Sequence, residues 1–153
     1  WERDAGLNGG ISYLGVDLSQ TSLSAGEAAA VAWAFSEGRD AQLVQGTYEE
    51  LVKQGYITGE PLEESDAVFW EWKDGILFSI TETDEPVTFN LPAMGVDDGG
   101  SADMSQFNVR DTVSFDAQKW RSGLGAYIFS GCTAVRNNAG HWGGYTVGSE
   151  MIS

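Results

Sequence analysis

The spacing of apolar residues changes rhythm near the middle of the chain, from a helical period to an alternating one. Ser24-Ala-Gly-Glu27 has the capping-box form, in which each side chain satisfies a free backbone amide of the other residue. Ala28, Val31, Ala32 and Phe35 follow at i, i+3, i+4 and i+7, with Ala29, Ala30 and Trp33 as a second apolar side. The pattern predicts a helix over 24–37, buried on more than one side and stopped by Gly38. Thr47-Tyr-Glu-Glu50 repeats the box ahead of Tyr48, Leu51 and Val52, which predicts a second, two-turn helix ending at Gly55. AQLVQ (41–45) is expected to be a short strand, and residues 1–23 a loosely ordered segment with one strand near Ile11–Leu18.

Beyond the polar connector 57–66, which holds Pro61, every apolar stretch reads as sheet. In VFWEWKDGILFSIT (68–81), Asp74-Gly75 is a strong hairpin signal, because both central residues of a type I′ turn take positive φ. That register sets Trp72 opposite Leu77 and Trp70 opposite Ser79. Both tryptophans then share a face with Val68 and Leu77, while Phe69, Glu71, Ile76, Phe78 and Ile80 form the more aliphatic face expected in the core. Further strands are predicted at 86–91, 107–115 and 126–135, and residues 141–153 return after a turn at 136–140. Residues 92–106 form a long acidic, glycine-rich loop, a length that suits a functional or mobile segment.

The expected architecture is therefore a single α+β domain over 1–153, with two N-terminal helices packed on one face of a mostly antiparallel sheet of five to six strands. In element order alone this layout resembles cystatin-like and NTF2-like domains in outline; it identifies no family and assigns no residue.

Composition narrows the partners. Twenty-three acidic side chains against 8 basic ones give a net charge of −15. Phosphate backbones are held by Lys and Arg, so nucleic acid is not an expected partner, and an anionic membrane surface is disfavoured by the same repulsion. No apolar run reaches the roughly 20 residues that span a bilayer, so membrane insertion of this chain is not expected. A chain starting at Trp1 suits a product whose leader or anchor has been removed, which favours export, to the extracellular space or the cell envelope of a bacterium, with a lipoprotein as one form. The single Cys132 excludes an internal disulfide.

Candidate chemistry is sparse. A Cys132–His141 nucleophile pair fails on geometry: a turn centred on Asn138-Ala139 sets Arg136 opposite His141 and Cys132 opposite Tyr145, which leaves thiol and imidazole roughly 13 Å apart. No G-x-S-x-G elbow is present. Gly123 and Gly125 lead into a strand rather than a helix, which argues against a phosphate loop. Glu71 is the carboxylate placed best for glycan hydrolysis, with Lys73 or another charged neighbour at the sheet rim as its expected partner. Asp97, Asp98 and Asp103 with Ser101 offer hard oxygen ligands for Ca²⁺ in a spacing unlike that of an EF-hand. Sheet-borne Trp70, Trp72, Trp120 and Trp142 are the candidates for stacking on a sugar or packing on a protein. No cofactor is expected.

These readings favour a non-enzymatic secreted or cell-surface binding domain whose partner is a protein or glycan. A carboxylate-based glycan hydrolase and a structural accessory domain of a larger envelope protein are the alternatives.

Overall fold

A computed structural model describes residue 7 and residues 9–63, 65–84, 112–136 and 142–153, with the side chains of Arg136 and Trp142 outside the description. The predicted strand 86–91, the loop 92–106, the first part of the 107–115 strand, the 136–140 turn beyond Arg136, and His141 lie outside the described residues.

Both helices form where their caps place them. Helix α1 spans Ala25–Ser36 and α2 spans Tyr48–Lys53; each has a complete capping box, with Ser24 and Glu27 at the first and Thr47 and Glu50 at the second. Gly38 and Gly55 follow at φ +72° and +81°, the left-handed conformation that ends a helix without steric cost. The expectation that α1 is buried on several sides is overturned. Its inner stripe is Ala28, Ala32 and Phe35, whereas Ala29, Ala30, Val31, Trp33 and Ala34 are exposed.

Sheet dominates the rest, and the predicted architecture is corrected accordingly. Strand β1 (Tyr13–Gln20) pairs in parallel with β2 (Gln42–Gln45) on one edge and with β5 (Gly75–Thr83) on the other. A parallel pair needs a crossover, and α1 supplies it between β1 and β2. Strand β6 (Thr112–Ser122) lies antiparallel to β5 and to β7 (Gly125–Arg136). The nine described strands therefore make one mixed sheet, larger than the antiparallel sheet of five to six strands expected.

The helices also fail to share a face. Leu77 packs with Leu51 of α2, while its neighbour Phe78 meets Phe35 of α1 at 4.4 Å between ring centroids. Consecutive strand residues point to opposite sides, so α1 covers one face of the sheet and α2 the other. The same two-sided cover explains why Leu14, Gly15 and Val16 are buried in succession on β1, as in a central strand with both faces packed.

The Asp74-Gly75 hairpin does not form. Strand β4 (Val68–Glu71) pairs with β3 (Thr58–Pro61) and, at Glu71, with Ser122 of β6, whereas β5 meets β6 from Leu77 opposite Trp120. Because β7 holds the other edge of β6 at both places, β4 and β5 follow one another along a single edge. Trp72 still donates its amide to the Arg121 carbonyl of β6 at 2.8 Å, and Lys73 and Asp74 form a turn between the two strands. The Asp74 carbonyl turns to β1 instead, accepting the amides of Ser12 at 2.6 Å and Tyr13 at 3.1 Å. Strand β3 occupies part of the predicted polar connector, with Pro61 at its end, where a missing amide is tolerated in an edge strand.

On the outer edge of β7, β8 (Trp142–Thr146) and β9 (Ser149–Ile152) again follow end to end. Arg136 pairs with Trp142 rather than with His141, one residue away from the predicted register.

Candidate ligand-binding pocket

The sequence directed attention to the tryptophans, and the structure brings three of the four together on the α2 face. Trp72 is 0% exposed, in a cluster with Leu51, Ile57 and Leu77. Trp70 and Trp120 are half-buried around Tyr48 of α2, at 6.5 and 5.2 Å between ring centroids. Both sheet faces are packed, so the predicted choice between a wet tryptophan face and an aliphatic core face does not arise. Trp142 sits on β8, on the far side of β7, with its side chain outside the described residues.

The acidic candidates separate as well. Asp97, Asp98 and Asp103 lie outside the described residues, and among those described no three His, Cys, Asp or Glu side chains are grouped to hold a metal ion. Glu71 has the partner expected of it: Lys73 Nζ stands 3.5 Å from its carboxylate and 2.8 Å from that of Glu60. Lys73 holds the Glu60 carboxyl below its usual range, and Glu60 in turn raises the lysine. This ion pair is exposed. Cys132 is buried, and its thiol is pushed up first by that burial and then by the nearby charges of Asp116 and Glu150. A raised pKa leaves little thiolate, the opposite of what a nucleophilic cysteine needs.

The concavity lies elsewhere, on the α1 face, where a pocket of about 880 Å³ opens at the end of β1 and β5. Its walls come from six separate stretches of chain. A register shift in β1 after Asp17 is followed by a turn in which Thr21 donates from N and Oγ1 to the Leu18 carbonyl. That turn leads the chain to the Ser24 cap and sets Val31 and Phe35 of α1 over the sheet. Below them Ile80 of β5 and Phe115 of β6 share the α1 face by strand alternation, and Val113 and Ala134 extend the apolar floor. Tyr145 of β8 closes the far side.

Two carboxylates, Glu82 and Asp84, stand at the end of β5 in this lining. Glu82 Oε1 accepts the Ser22 amide and hydroxyl, both at 2.9 Å, which ties the turn after β1 to β5. Among the described residues the lining contains no Lys, Arg or His. Its volume falls in the usual range for small-molecule sites, about 300–1,000 Å³, and the chemistry of an apolar floor with a few polar groups is the usual one too.

Sequence reasoning missed this pocket because its walls are distant in the chain. Phe35 and Ile80 each read as core positions, and no local signal places the start of β6 beside α1. The one usable clue was the combination of Glu82 and Asp84 directly after an apolar strand.

Fold and site together define a mixed-sheet domain with a helix on each face and an acidic-rimmed apolar pocket beside the longer helix. No protein-family model, curated protein or solved structure matches the chain.

Proposed function

We propose that this chain is a non-enzymatic binding domain whose ligand seats an apolar group in the pocket on the α1 face. The observation that supports this most is the 880 Å³ concavity itself, lined by Leu18, Val31, Phe35, Ile80 and Phe115 and open to solvent beside α1. The apolar part of that concave surface gains free energy when a ligand removes it from water, at about 25 cal/mol per Å².

Nothing favours the glycan-hydrolase alternative over this reading. Glycosidases set two carboxyl groups on either side of the scissile bond. Glu82 and Asp84 stand two residues apart on one strand end, on one wall of the pocket, and Glu82 is already engaged by Ser22. Among the described residues no tryptophan lines the pocket for a sugar to stack on.

The test is titration of the isotope-labelled chain with 1-octanol, followed through backbone amide resonances. Saturable shifts confined to residues 18–23, 31–35, 80–84 and 112–115 are expected. Shifts scattered over the surface, or none, would reject the pocket as a binding site.

A further inference from the structure

We propose that the pocket takes a small amphiphilic cation, an apolar chain or ring that carries an ammonium group; this rests on the pocket reading above. The apolar part has a place in the floor formed by Val31, Phe35, Ile80 and Phe115. The charge has a place at the end of β5. There, Glu82 and Asp84 add two negative charges to a lining that, among the described residues, holds no Lys, Arg or His.

Among the described residues those two charges have no compensating cation. Glu82 is satisfied on Oε1 by the neutral donors of Ser22, and among the described residues no Lys, Arg or His forms an ion pair with Glu82 or Asp84. An anionic ligand entering the pocket would bring a third negative charge to them. A neutral ligand would exclude water from the carboxylates and return nothing for it, and desolvating an unpaired charge is costly. An ammonium group alone offsets that cost. The net charge of −15 acts in the same direction at long range, by raising the local concentration of cations and lowering that of anions.

Three probes with one tail separate the two levels of the proposal: octylammonium, 1-octanol and octanoate, each below its micellar concentration, measured by isothermal titration calorimetry. Octylammonium is expected to bind about tenfold more tightly than 1-octanol, with octanoate weakest, and the gap should narrow as salt is added. Asp84→Asn and Glu82→Gln should each weaken octylammonium while leaving 1-octanol unchanged or slightly tighter, since each removes a charge that the neutral probe would desolvate. Asp84 is exposed and outside the Ser22 contacts, so its variant keeps the test valid if the Glu82 change disturbs the turn. Val31→Trp, on the exposed surface of α1, fills the pocket without altering charge and should abolish binding of octylammonium and 1-octanol alike.

If 1-octanol and octanoate bind as well as octylammonium, the cation preference is overturned and the pocket stands. If octylammonium binding survives Val31→Trp, the cation sits on the acidic surface and the proposal fails. If none of the three binds, the pocket reading falls with it.

Discussion

Gly75 lies directly beneath the indole of Trp72, so that a β-carbon at position 75 would collide with Cε2 and Nε1 of the ring. Gly15, on the neighbouring strand, makes a second gap: a β-carbon there would stand 2.7 Å from Trp72 Cζ3. The largest fully buried side chain of the described core thus rests on two residues without side chains. Gly75→Ala is expected to cost at least about 2 kcal/mol, because overpacked cores shift both side chain and backbone. Gly123→Ala, whose β-carbon would meet Phe69 at 3.7 Å, is expected to stay within about 0.5 kcal/mol. Urea unfolding of both variants checks this; equal midpoints would remove Trp72 from its assigned place over Gly75.

Trp33 and Trp72 occupy opposite extremes of exposure, 69% and 0%. Acrylamide should therefore quench a red-shifted part of the native fluorescence that disappears in Trp33→Phe, while Trp72→Phe removes a blue-shifted, protected part. Protection of Trp33 in the isolated chain would mean that the outer side of α1 is covered.

Cys132 should not react with Ellman's reagent in the native state, and should react fully once the chain is unfolded. Burial and the charges of Asp116 and Glu150 raise its folded pKa, so the native state favours the neutral thiol. Any contribution from this group is complete below the ordinary thiol range and is lost as pH rises through the raised value. Stability compared between wild type and Cys132→Ala should converge or cross in strongly alkaline buffer; a difference independent of pH there would contradict the shift.

Ser24→Ala and Thr47→Ala should each cost about 1 kcal/mol, and nearly the sum when combined, because the two caps belong to helices on opposite faces. Thermal or urea unfolding of the double variant reads the additivity directly. Lys73→Ala, which removes an exposed pair with Glu60, should leave the midpoint almost unchanged at physiological salt.

Local signals were legible wherever neighbours in sequence decide the outcome. Both helices begin one residue after their capping-box Ser or Thr and end two residues before their terminal glycines, since those hydrogen bonds close over three or four residues. Alternation also placed Trp70 and Trp72 on a common face, whereas Leu77 joins them there without the hairpin register expected to bring it. The Glu71–Lys73 ion pair was readable for the same reason.

Partner choice between strands was not legible, and most of the architecture depends on it. Asp74-Gly75 carries the composition of a tight hairpin, yet β1 takes the Asp74 carbonyl and Gly75 serves as space for an indole. The glycine was noticed for its backbone freedom and is required for its missing side chain. An apolar residue likewise records that it is buried without recording what buries it. Leu77 and Phe78 both read as sheet positions, but only the crossover through α1 and the docking of α2 decide that each faces a different helix. The pocket has the same origin. Val31, Ile80, Glu82 and Phe115 are ordinary residues in their own segments, and they become a site because strands distant in the chain share an edge. The sequence by itself determined where helices start and stop and which residues avoid water; the tertiary structure alone decided which strands pair and which faces meet, because those contacts join groups whose separation along the chain carries no local signal.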